Sequence, residues 1–198
     1  MTWNLSIAFA PQNVDAAAGI IRGCAVATIG EARGHNLWLD KKTLAQLQAA
    51  GTRYKNGVKV KVDHGSGMMA TIGHLKSFRI DGEVLRGDLH VLQTAKDRDK
   101  LFEMAEKIPD TFGLSVSFSG EDEITEGRKF ARCDEKGFYS VDLVTEAAAN
   151  PQGLFSAKDD PGAVEMAQAI AHTLQRLNFQ LIAQRLQRLD RDVAHSLC

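Results

Sequence analysis

Apolar and polar positions along the chain change period several times, and each change marks an element. Residues 18–30 (AGIIRGCAVATIG) are small, β-branched and bounded by glycine, which predicts a strand through a packed interior. After Asp40, a side chain suited to cap a helix, Leu44, Leu47 and Ala50 recur on one face until Gly51 stops the run. Residues 58–62 (VKVKV) alternate apolar with cationic side chains, as a half-buried strand does, and lead into the glycine-rich turn 63–67. Residues 69–80 and 83–92 read as two strands joined at Asp81-Gly82, a pair suited to a type I′ hairpin turn. A helix over 95–107, with Thr94 as its cap and Leu101, Phe102 and Ala105 facing inward, ends at Pro109. A strand follows at 111–118, then two more at 128–133 and 138–144 about a turn at 134–137, then an irregular stretch over 146–160.

The last segment has a different character. Asp160-Pro161 sets an acceptor before a proline, the preference of a helix start. Ile170, Leu174, Leu177 and Leu181 step by helical intervals; Leu186, Leu189 and Val193 do so again after a phase slip. The expectation is an amphipathic C-terminal helix over 161–195, lying along the domain or serving oligomerisation or scaffold binding. The boundaries follow: a domain over 1–158 and a helical extension over 159–198. The strands cluster too closely for βαβ alternation. The fold class is therefore α+β: a compact, mostly antiparallel β-barrel with surrounding helices.

Composition narrows the function classes. The chain has 198 residues, 24 Lys and Arg against 25 Asp and Glu, and a formal net charge of -1, which excludes a generic nucleic-acid binder. No apolar run approaches the length of a membrane span. The first residues (MTWNLSIAFAPQ) carry no Lys or Arg ahead of the apolar stretch and do not read as a secretory signal. Cys24, Cys133 and Cys198 are odd in number and far apart, so buried thiols in a reducing, cytosolic compartment are expected rather than a disulfide framework.

Three stretches carry candidate chemistry. His64 follows an acid at the end of a strand and precedes Gly65-Ser66-Gly67, a place where a side chain can be presented from a fixed backbone, or simply sit on a surface turn. Ser115 and Ser117 alternate with Leu114, Val116 and Phe118 and so share one strand face. A serine needs a base to act as a nucleophile, and His64 is a candidate base. In residues 138–144, Ser140 and Asp142 share one face while Tyr139, Val141 and Leu143 share the other. A carboxylate among apolar strand residues is costly unless paired; a histidine partner would satisfy it and be oriented by it, while an exposed edge-strand Asp would need neither. Asp63, His64, His74 and His90 have the chemistry of zinc ligands, but neither HExxH nor a Cys/His quartet is present. Phosphate-cradling glycine motifs and a GxSxG elbow are also absent. No metal and no cofactor are expected.

These stretches, in this order, resemble the prohead (capsid maturation) serine proteases of tailed bacteriophages, a family related in fold to the herpesvirus assembly proteases. The resemblance lies in VKVDHG at 60–65, the hairpin at 70–91, GLSVSF at 113–118 and SVDLVTEAAANPQGLF at 140–155, and spans roughly residues 20–155. It implies a herpesvirus-protease-like barrel. Carried over position by position, it implies His64 as base, Ser115 as nucleophile with Ser117 beside it, and Asp142 as the third member with Ser140 and Glu146 as rivals. It also implies that the turn at Asn150-Pro151 packs near the site, with backbone N–H groups there available to an oxyanion.

The expected activity is that of a serine endopeptidase acting on the phage major capsid protein and scaffold protein during procapsid maturation, with self-cleavage. The setting implied is the host cytoplasm, inside the assembling procapsid. The expected partners are those two substrates and a possible homodimer or higher homo-oligomer through 161–195, with no nucleic acid and no membrane. The alternative is a non-catalytic capsid-assembly or scaffold module of the same fold.

Overall fold

The structure, a computed structural model, describes residues 13–155. The chain divides into units Met1–Ala157 and Lys158–Cys198, and the described residues belong to the first. The helix expected over 161–195, and any association through it, lie outside the described residues.

Eleven strands and two α-helices make up the described fold. Seven strands form one sheet: β1 (Val14–Asp15), β2 (Ile20–Thr28), β5 (Val58–Val62), β6 (Thr71–Asp81), β7 (Val84–Val91), β8 (Gly113–Phe118) and β11 (Phe138–Val144), ordered β1-β2-β7-β6-β5-β11-β8. Four short strands form a second: β3 (Gly30–Ala32), β4 (Leu37–Leu39), β9 (Glu123–Thr125) and β10 (Arg128–Phe130), ordered β3-β4-β10-β9. Most pairings are antiparallel; β5 with β11 and β4 with β10 are parallel. Helices α1 (Lys41–Thr52) and α2 (Arg98–Lys107) pack on this framework, which gives an α+β fold.

The large sheet curls until β2 and β8 approach each other, yet they do not pair as strands. The seam is closed by the segment that follows β11. The backbone of Ala25 donates to Leu154 O and that of Thr28 to Ala149 O. At the centre, the fully buried Asn150 amide donates to Ala25 O and Val26 O on β2 and to Leu114 O on β8, and its oxygen accepts from Thr28 Oγ1 at 2.8 Å. Buried carbonyls left without donors are costly, so one side chain here stands in for a missing strand ladder. In place of the expected closed barrel the structure has a curled, half-barrel sheet with a side-chain-bridged seam between β2 and β8.

The core is continuous. Ile21, Leu44, Leu47, Leu75, Leu85, Leu89, Leu114 and Phe138 are all but inaccessible to solvent, each contributing about 1.5–3 kcal/mol of burial. Helix α1 begins where the sequence indicates: Asp40 accepts from the Thr43 backbone and Thr43 Oγ1 bonds back to Asp40, a closed capping box. Arg132, itself buried, clamps Asp40 with two hydrogen bonds and reaches Glu123, fixing the small sheet to the start of α1. Desolvation works against the Arg132 charge, but those carboxylates outweigh it and raise its pKa.

Several elements depart from expectation. Helix α2 starts at Arg98, behind Asp97 in the left-handed region and without a side-chain cap, so Thr94 does not cap it. The hairpin turn between β6 and β7 is centred on Gly82-Glu83, because Asp81 pairs with Val84. Only Gly82 has positive φ, the pattern of a type II′ turn rather than type I′ at Asp81-Gly82. The strand expected over 128–133 stops at Phe130, where Ala131 and Arg132 turn toward α1. Tyr139 is exposed, unlike Val141 and Leu143, because a register shift between Phe138 and Ser140 makes it the extra residue of a bulge. The short strands β1, β3, β4 and β9 were not expected.

Candidate active site

The site grows from the ends and faces of three neighbouring strands. In register, Ser115 on β8 lies opposite Asp142 on β11, and Asp142 lies opposite Lys61 on β5. Opposite residues in a ladder project to the same face, so a hydroxyl, a carboxylate and an ammonium form one row across the sheet. Ser117 and Ser140 form the next row.

The backbone turns sharply where β5 ends. Asp63 N donates to Leu143 O, extending the parallel pairing by one bond; Gly65 N then donates back to Val62 O. Asp63 and His64 lie between, with φ of 48° and 55°. Two consecutive positive φ values closed by that bond make a type I′ turn. Non-glycine residues in this region cost about 1–3 kcal/mol each, and such strain collects at functional sites. Gly65 is required here: a Cβ would approach Ala70 Cβ to 2.4 Å and Val62 O to 3.0 Å.

This turn swings His64 over the end of the sheet. Its Nδ1 sits 2.7 Å from Asp142 Oδ2, while the ring remains 59 % exposed. Asp142 is 1 % exposed, so its carboxyl group is held in the interior. With Nδ1–H donated to the carboxylate, Nε2 is left as the basic nitrogen. Asp142 is not on an edge strand, since β11 lies between β5 and β8.

His64, Ser115 and Ser117 line one groove of about 480 Å³. Leu37 and Leu39 of β4, Phe118, Ala131, Arg132 and the turn residues Ala148 and Ala149 complete much of its wall. The small sheet clamped by Arg132 is therefore the far bank of this groove. The structure brings His64 and Asp142 into hydrogen-bond contact. Ser115 joins them through strand register and the shared groove rather than through a hydrogen bond. Ser140 is buried opposite Ser117, and Glu146 lines an adjoining cavity of about 440 Å³ with Arg33 and Asp110. Of the three candidates for the third position, Asp142 is the one in contact with His64.

His74 and His90 lie elsewhere on the sheet as a cross-strand pair, stacked with ring centroids 5.1 Å apart. Desolvation first, and the nearby Lys76 charge second, hold both pKa values below the ordinary 6.5. Among the described residues no cluster of three or more His, Cys, Asp or Glu is arranged to hold a metal ion. Cys24 and Cys133 are free and buried; burial pushes their thiols up to about 12 and about 11. No helix among the described residues is long and apolar enough to cross a membrane.

Sequence reasoning passed over three contributors. Lys61 read as the polar side of an alternating strand; Arg132 fell in an expected strand; the Asn150 amide was placed near the site but not at the seam. A parallel β5–β11 pairing, which no local pattern announces, is what brings Lys61 to Asp142.

No family model matches the chain, and no curated protein does. Among solved structures it is similar to the bacteriophage T4 capsid assembly protease, gp21, with a TM-score of 0.48 and 15% sequence identity, covering 64% of this chain and 82% of that one.

Proposed function

We propose that this chain is a serine endopeptidase that uses Ser115, His64 and Asp142, and that it cleaves scaffold and capsid proteins during phage procapsid maturation. The chemistry rests on one observation above all: a buried carboxylate holds His64 Nδ1 at 2.7 Å and stands directly across the ladder from Ser115, while His64 and Ser115 line the same groove. The biological assignment rests on the sequence resemblance to prohead proteases.

In this mechanism Ser115 Oγ attacks the scissile carbonyl and His64 Nε2 takes its proton. Asp142 fixes the imidazole tautomer and stabilises the imidazolium as it forms. His64 then returns the proton to the leaving amine, and water repeats the sequence on the acyl-enzyme. The backbone at Ala148 and Ala149 lines the groove beside Ser115 and is the proposed source of oxyanion donors, worth about 3 kcal/mol each. The exposed His64 ring is open to the groove, as a base that must meet substrate requires.

Incubation of the full chain with phage scaffold and capsid protein, followed by mass analysis of the products, tests the reading. Ser115→Ala is expected to abolish cleavage with an unchanged circular dichroism spectrum, and Ser117→Ala to retain it. Loss in Ser117→Ala alone would move the nucleophile by one row. Equal cleavage by all three chains would remove serine catalysis on this strand.

A further inference from the structure

Asp142 raises an electrostatic question that His64 does not answer. Its side chain is 1 % exposed, and an ionised carboxylate in that position is expensive unless charge or hydrogen bonds compensate it. A neutral imidazole brings a hydrogen bond to Oδ2 but no net charge. The other oxygen, Oδ1, is buried and has no hydrogen-bond partner among the described residues. Facing it at 3.6 Å is Lys61 Nζ, on a side chain only 18 % exposed.

The sheet sets this contact. Lys61 and Asp142 are register partners on parallel strands. On its other side β5 pairs with β6, where Lys61 stands opposite Thr71 and the extra residue of the register shift is Ile72 on β6, so Lys61 keeps its place in the ladder between two neighbouring strands.

We propose that Lys61 is a positioning residue of the His64–Asp142 pair: its ammonium lies against Oδ1 of the buried carboxylate and turns it so that Oδ2, not Oδ1, meets His64. The inference rests on the peptidase reading only in calling that pair catalytic. The titratable and charged groups around His64 are Asp63 beside it in the turn, Lys61 and Asp142 on the sheet, and His35, Asp122 and Arg132 across the groove. Arg132 is held by Asp40 and Glu123, so Lys61 is the cation paired with Asp142 itself.

The sign of the effect is fixed. Lys61 repels a proton arriving on His64 and shares the carboxylate that would attract it. Removing the ammonium leaves Asp142 with the imidazolium as its sole ionic partner among the described residues, so His64 binds its proton at higher pH.

The test is an NMR titration of the His64 ring in the full chain, compared with Lys61→Gln and Lys61→Arg. Lys61→Gln is expected to shift the His64 midpoint upward, and Lys61→Arg to restore it. An unmoved midpoint in Lys61→Gln, or an equal shift in both variants, overturns the proposal. Should Lys61→Gln not fold, reductive ¹³C-methylation of the unmutated chain decides it. The Lys61 methyl signal, assigned by its loss in Lys61→Arg, is expected to move as His64 titrates; a signal blind to that titration overturns the coupling. These readouts need no turnover. Failure of the peptidase reading would appear instead as undiminished cleavage by Ser115→Ala.

Discussion

His64 is held by a backbone that few sequences tolerate. Two left-handed residues in succession, closed by Gly65 against Val62 O, aim the imidazole at Asp142. Gly65→Ala brings a Cβ within 2.4 Å of Ala70 Cβ, so the turn must open and His64 must leave the carboxylate. The expected result is a large loss of kcat with a modest fall in Tm, read by peptide turnover beside a thermal melt. Asp142→Asn probes the same contact from the other side. It preserves shape but offers His64 the wrong tautomer, and turnover is expected to drop by about 10⁴-fold while substrate binding holds. Cys24 makes a contrasting prediction. Its thiol is fully buried and pushed up to about 12, so iodoacetamide is expected to leave it unmodified until the chain is unfolded in denaturant.

At the scale of elements, sequence and structure part for identifiable reasons. The elements with strong internal period were legible: β2, α1, β5, the β6–β7 pair, β8 and β11 lie within a residue or two of the expected ranges. So was the capping of α1 by Asp40, because a capping residue and its apolar face are local. What escaped depends on distant partners. Strands β3, β4 and β9 are three residues each and exist through pairing with one another and with β10, so they carry no period of their own. The hairpin turn moved by one residue because cross-strand register, not the Asp-Gly pair, fixed its centre. The candidate residues His64, Ser115 and Asp142 could be chosen from sequence, but their proximity depends on β11 inserting between β5 and β8. The β6–β7 pair also carries a pH signature. His74 and His90 titrate below the ordinary 6.5 in the folded chain, so the unfolded chain binds more protons near that pH. Stability is therefore full above about 6.5 and declines as pH falls through the lowered folded values. Replacing both with Gln is expected to flatten urea midpoints measured across that window.

At the scale of the whole molecule, one side chain joins the two ends of the curled sheet. Asn150 serves β2, β8 and Thr28 together, and no other residue type offers two donors and an acceptor in that shape. Asn150→Ala leaves buried carbonyls unpaired and is expected to cost about 3 kcal/mol in urea unfolding, far more than a surface change. The same seam carries the turn that lines the groove, so stability and site geometry are coupled through it. We further propose that residues 1–158 form the catalytic domain and that 159–198 serve self-association. Light scattering of a chain ending at residue 158 is expected to give a lower mass per particle than the full chain; equal masses would remove the extension from assembly.

The most direct test of the central claim is to find which residue a fluorophosphonate probe modifies. The probe bonds to a serine only where a base activates it and an oxyanion site receives it. Labelling of the full chain, mapped by peptide mass spectrometry, is predicted to fall on Ser115 and to vanish in His64→Ala and Asp142→Asn. Label on another residue, or label on Ser115 that persists without His64, would contradict it.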